Sequence, residues 1–142
     1  MHAIAGWHIE LYVDAATLGS SVGRLLALPA VSIDHLGLSQ AGVPTLLRLA
    51  EGGVRVKATG FGRVDFDVRP VLRELYSSNP DALMFGTDLP STRAGTAFSD
   101  DDLAQVLAEF DDVQAGKVLY ENAMRFYRMA VDVAAAGADT AR

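Results

Sequence analysis

The chain contains no cysteine. Disulfides and thiolate metal sites are therefore excluded, and a reducing cytoplasm is the expected compartment. Positive charge is also in short supply: 12 Lys and Arg stand against 18 Asp and Glu, a net charge of −6. That balance argues against a broad phosphate-binding surface, so nucleic acid is not an expected partner. Long hydrophobic runs are missing. Apolar stretches are broken by charges well short of the ~20 residues a membrane span needs. The first residues, Met1 to His8, lack a basic start followed by an apolar run, so no secretory signal is expected. A soluble protein without membrane contact follows. Neither a fixed-period repeat nor a linker divides the chain. The 142 residues are 50% hydrophobic and 21% charged, which suits one globular domain.

The hydrophobic pattern alternates strand and helix four times. Trp7 to Val13 alternates with period two, placing Trp7, Ile9, Leu11 and Val13 on one face and His8, Glu10 and Tyr12 on the other. Asp14 is a plausible N-cap for a helix through Leu18, Val22, Leu25 and Leu26, stopped by Pro29. A second strand, Val31 to Asp34, ends at His35-Leu36-Gly37. Its helix spans Val43 to Glu51, with Pro44 in the first turn and Gly52-Gly53 at the stop. Strand three is Val54 to Thr59, followed by Gly60-Phe61-Gly62-Arg63 and a helix from Asp67 to Ser78. Strand four, Ala82 to Phe85, runs into Gly86-Thr87-Asp88 and the loop through Arg93. A helix near Asp100 to Phe110 has an acidic start, and a last helix covers Gln114 to Ala134. The domain is expected over 1–134, with 135–142 a small, polar tail that frays. Four βα units in series imply an α/β fold with a parallel sheet, whose sites are built at the C-terminal strand ends.

Two strand ends carry groups with chemistry. His35 can be a metal ligand, an electrophile or a general base, or simply a histidine hydrogen-bonded into a loop. Asp88 can bind a divalent cation or take a proton from water, or can serve an Asx turn. On strand three, Arg55, Lys57 and Thr59 alternate with Val54, Val56 and Ala58. With the apolar set against helices, the cations point inward, where they and Arg63 suit a carboxylate-bearing substrate. A solvated face on an edge strand would show the same pattern. Tyr12 is the residue of its face closest to the mouth. His8 sits deeper, as a core polar residue bonded to Glu10. Arg93 follows Asp88 closely enough to reach the same mouth, or lies on the surface.

Gly6-Trp7-His8-Ile9-Glu10-Leu11-Tyr12, Ile33-Asp34-His35-Leu36-Gly37, Val56-Lys57-Ala58-Thr59-Gly60 and Phe85-Gly86-Thr87-Asp88-Leu89-Pro90 occur in that order. Together they resemble the last four strands of the amidohydrolase-2 family of TIM-barrel, metal-dependent hydrolases. Asn122-Ala123-Met124-Arg125-Phe126-Tyr127 resembles the closing helix of that family. The resemblance implies the C-terminal half of a (β/α)8 barrel: four parallel βα units plus a C-terminal helix. The most similar branch includes 2-pyrone-4,6-dicarboxylate lactonase. It implies catalytic roles for Asp88 and His35, substrate contacts for Tyr12 and Arg63, and a divalent metal such as Zn or Mn on His35 and Asp88, or no metal at all. Arg93 joins the substrate contacts by position. The lactonase has an arginine shortly after its strand-six histidine, where this chain reads Leu36-Gly37-Leu38. The family's His-x-His on its first strand has no counterpart among His2, His8 and His35.

A complete barrel of this kind takes about 250 residues and eight strands. The expected activity is hydrolysis of a small lactone, ester or amide with Asp88 as base and His35 assisting. The expected partner is a second copy of the chain or a complementary N-terminal half, because unpaired strand edges invite pairing. The alternative is a catalytically incomplete fragment, a split-enzyme subunit or a non-enzymatic remnant. An open flavodoxin-like domain would need a glycine-rich phosphate loop after strand one, and Val13-Asp14-Ala15-Ala16 is not one.

Overall fold

A computed structural model describes residues 2–129. Four strands, β1 (Ile9–Leu11), β2 (Val31–Ile33), β3 (Arg55–Ala58) and β4 (Leu83–Phe85), form one parallel sheet in the order β1-β2-β3-β4. Helices α1 (His2–Ala5), α2 (Val22–Leu26), α3 (Val43–Glu51), α4 (Val68–Ser78), α5 (Asp100–Glu109), α6 (Asp112–Gly116) and α7 (Asn122–Tyr127) complete the described chain. This is half of a (β/α)8 barrel. None of the described helices is long and apolar enough to cross a membrane.

The outer face of the sheet meets α3 and α4. Helix α3 buries Val43, Leu46, Leu49 and Ala50, and α4 buries Val68, Val71, Leu72 and Leu75. These spacings place one apolar stripe on each helix. They close over Val31, Ile33, Val56, Ala58 and Leu83 of the strands. Each large apolar side chain taken fully from water contributes about 1.5–3 kcal/mol. Caps fix the entry of the chain into its helices. The side chains of Asp14 and Asp67 accept from the amides of Ala16 and Arg69.

The last helical stretch departs from the expected Gln114–Ala134. It begins at Asp112, because Asp111 and Gln114 exchange hydrogen bonds in a capping box. It widens through Lys117–Glu121, continues as α7, and stops where Arg128 turns left-handed at φ 55°. The 130–134 part of the expected helix and the tail expected at 135–142 lie outside the described residues. Helix α7 crosses the bottom of the sheet. Asn122, 1% exposed, donates to the carbonyls of Pro80 and Leu83 beside β4. Tyr127 donates to Glu10 on β1, 2.9 Å away.

Two further expectations are corrected. Strand one is three residues rather than seven, because it pairs only with the three residues of β2. His8 does bond to Glu10, at 3.0 Å, but with its side chain 32% exposed it is not part of the core. Strand β3 lies between β2 and β4, so its polar residues do not belong to a solvated edge.

Candidate active site

The C-terminal strand ends converge on a cavity of about 220 Å³ lined by Asp34, His35, Lys57, Thr59 and Asp88. Strand β2 delivers Asp34 and His35, β3 delivers Lys57 and Thr59, and the loop after β4 delivers Asp88. Both expected catalytic residues sit on left-handed backbone, His35 at φ 50° and Asp88 at φ 58°. Non-glycine residues adopt that region at a cost, and such strain concentrates at functional sites. Leu36, also at φ 50°, is fully buried and anchors the turn in the core.

The site is a row of four side chains. Thr59 Oγ1 lies 2.8 Å from His35 Nδ1. His35 Nε2 faces Asp88 Oδ1 at 3.8 Å, too far for a direct hydrogen bond. Asp88 Oδ2 accepts from Arg63 Nε at 2.7 Å, and the same guanidinium donates to the Thr92 carbonyl at 2.8 Å. Burial pushes the His35 imidazole below its ordinary value of 6.5, against the pull of Asp88 and Asp34. The ring is therefore neutral near pH 7. Tyr12 packs edge-on to it, with ring centroids 5.3 Å apart.

Beneath the row lies a second charged layer. Lys57 Nζ is 2.7 Å from Glu10 Oε2 and 3.1 Å from Asp34 Oδ1. The contact with Asp34 is electrostatic: Asp34 Oδ1 is buried with no donor aligned on it. Glu10 Oε1 accepts from Tyr127 and is bonded to His8. The two carboxylates hold Lys57 well above its usual range, although burial opposes them.

Of the residues expected from sequence, His35, Asp88, Arg63 and Tyr12 meet at one mouth. Arg93 is exposed in the loop beyond Asp88 and makes no hydrogen bond or ion pair among the described residues. Arg63 is engaged by Asp88, and Lys57 by Glu10 and Asp34, so neither is a free cation. Arg55 lines a different hollow with Leu25, Pro29 and Phe126. Lys57 and Thr59 line the cavity, in keeping with the inward alternation expected of β3. Asp34 is the wall residue that the sequence reading did not single out, although its signal was present in the carboxylate preceding His35. A larger hollow of about 580 Å³ lies beside Trp7, Ile9 and Leu28. It is mostly apolar, and its histidines are tied to the Trp7 carbonyl and Glu10, so the smaller cavity is the candidate site.

Gly60, at φ 60°, is required by this geometry. A Cβ there would stand 2.7 Å from His35 Nδ1 and 2.9 Å from Arg63 Cδ. Gly60→Ala is expected to lose about 1–2 kcal/mol from the left-handed backbone alone, and to move the His35 ring. Urea unfolding measures the first effect and the His35 ring resonances the second; an unchanged midpoint and spectrum would remove the claim.

The family model described as Amidohydrolase matches residues 3–129. The chain belongs to the amidohydrolase family. Among solved structures it is similar to amidohydrolase 2 from Bifidobacterium longum subsp. infantis, with a TM-score of 0.69 and 22% identity over 91% of this chain and 52% of that one. It is also similar to an apo structure of an Agrobacterium tumefaciens protein, with a TM-score of 0.68 and 18% identity over 91% and 53% of the two chains. At these identities the likeness concerns the fold. The chain spans about half the length of both relatives. No curated protein matches it.

Amidohydrolases commonly bind divalent metals, and the donors here can be weighed against that. Among the described residues no three His, Asp or Glu side chains are grouped so as to hold a metal ion. His35 Nε2 and Asp88 Oδ1 provide two donors where catalytic sites usually use about three. The third carboxylate of the cavity, Asp34, already has the Lys57 ammonium at 3.1 Å. By themselves these residues do not fit a divalent site.

Proposed function

We propose that this chain contributes the acid–base half of a hydrolase site for a small lactone, ester or amide bearing a carboxylate. The observation that carries the proposal is the facing pair, Asp88 Oδ1 and His35 Nε2, 3.8 Å apart over a cavity. The far atoms of both groups are tied, Oδ2 to Arg63 and Nδ1 to Thr59. Only Oδ1 and Nε2 are left to react. Asp88 takes a proton from an attacking water whose oxygen bonds to the substrate carbonyl carbon. The C–O or C–N bond then breaks, and the proton passes from Asp88 to the leaving oxygen or nitrogen. His35 assists from the same side of the cavity. Tyr12, 60% exposed, and Arg93 remain for the substrate carboxylate.

The rest of the site comes from a complementary N-terminal barrel half or from a second copy of the chain. Two features support this reading. The chain spans about half of its solved relatives, and β1 and β4 each present an outer edge. On β1, Ile9 and Leu11 bond toward β2, which leaves the Glu10 main-chain groups facing outward. The two-donor count favours one other reading, a subunit that is inactive until joined. The test is a panel of lactones, carboxylic esters and amides assayed on the purified chain at defined particle mass, with and without Zn²⁺ or Mn²⁺. Turnover by a particle larger than one chain is the expected result. Turnover by a monomer would sink the partner; no turnover by any assembly, including one with an N-terminal barrel half, would sink the hydrolase.

A further inference from the structure

A neutral imidazole carries its proton on one of two nitrogens, and that choice decides whether the free nitrogen donates or accepts. The two nitrogens of His35 have different neighbours. Nδ1 is 2.8 Å from the Thr59 hydroxyl. Nε2 faces the Asp88 carboxylate at 3.8 Å. A hydroxyl can donate or accept, whereas a carboxylate only accepts. A bare Nε2 would set a lone pair against the carboxylate oxygen. A protonated Nε2 turns a positive edge toward it, and leaves Nδ1 free to accept from Thr59.

We propose that Thr59 is a positioning residue: its hydroxyl donates to Nδ1 and holds His35 as the tautomer whose Nε2–H points into the cavity. The rotamer that does this is locked. Thr59 is 9% exposed and branched at Cβ. Its methyl group lies against Gly86, where a Cβ would come within 3.1 Å of Cγ2. Gly60 leaves room for the ring on the other side. Resting on the hydrolase reading, the consequence is a division of labour. Asp88 is the base, and His35 is a neutral hydrogen-bond donor aimed at the carbonyl oxygen on which charge develops.

The test is the long-range ¹H–¹⁵N spectrum of the labelled full chain at pH 8, with His35 distinguished from His2 and His8 by His35→Gln. The wild-type spectrum is expected to show His35 Nδ1 bare and Nε2 protonated. Thr59→Val keeps the shape and removes the donor. It should shift the tautomer ratio toward Nδ1–H roughly fivefold, the size of one net hydrogen bond, with His2 and His8 unmoved. Thr59→Ser should restore the wild-type ratio. A wild-type ring with Nδ1 protonated overturns the proposal whether or not the variants fold, and so does a Thr59→Val spectrum identical to wild type. Neither reading depends on turnover, so loss of the hydrolase proposal and loss of this one are separate results.

Discussion

Asp88→Asn is expected to lower kcat/KM for the hydrolysed substrate by at least about a hundredfold while leaving the chain folded. The charge and the basic oxygen are lost, but the shape is kept. Asparagine tolerates left-handed backbone as aspartate does, so the φ of 58° at this position adds no new strain. The amide oxygen can still accept from Arg63 Nε, now at 2.7 Å from Oδ2. The hydrogen bond becomes neutral on one side and weaker, which predicts a stability loss on the order of 1 kcal/mol. The two readouts separate the roles. Steady-state kinetics should show the fall in kcat, and urea unfolding should show a small shift. A variant within threefold of wild-type kcat/KM would mean that Asp88 is not the base, and the facing pair would lose its mechanistic meaning. A variant that fails to fold would instead make Asp88 chiefly the anchor for Arg63.

How much of this was legible in the sequence depends on the distance over which each feature is decided. Helix α3 falls on Val43–Glu51 as expected, because its apolar stripe, the early Pro44 and the closing glycines are all local signals. Helix α4 likewise follows Asp67, whose cap is written three atoms from its own backbone. The last helix starts two residues before the expected Gln114, because its start is decided by a reciprocal bond between Asp111 and Gln114 and not by the apolar period. The site divides in the same way. His35, Asp88, Tyr12 and Arg63 were legible as strand-end residues, since loops after parallel strands can be found by punctuation alone. Their pairings were not. Glu10, Ser32 and Arg55 share a level across three strands, and only that register puts Lys57 one layer higher, between Asp34 and Glu10. A cation that reads as substrate-facing in one strand is thus already matched by carboxylates on two others.

That matching leads to the largest expected effect on stability. Lys57→Met is expected to cost about 2–3 kcal/mol, because it leaves two carboxylates without their common cation. The lysine and Asp34 side chains are only 19% and 18% exposed, so solvent replaces little of the lost interaction there. Glu10 is 37% exposed, and its share is discounted for screening. Methionine has nearly the length of lysine, so lost packing contributes little. The pH dependence supplies the sign. Burial raises the Glu10 carboxyl, but hydrogen bonds from Lys57, Tyr127 and His8 outweigh it and leave the group below its ordinary 4.5. A depressed carboxyl stabilises the fold above its unfolded value and loses that contribution as pH falls through the folded value. Wild-type stability should therefore decline below about pH 4.5, and the decline should be shallower in Lys57→Met. Lys57 itself is raised, so its own contribution persists through neutral pH and is lost only in strong alkali. Urea titrations at pH 7 and pH 4 on both proteins measure the difference. Equal losses at the two pH values would show that the lysine acts by packing. A loss confined to neutral pH would place the charge layer under the site among the interactions that hold β1, β2 and β3 together.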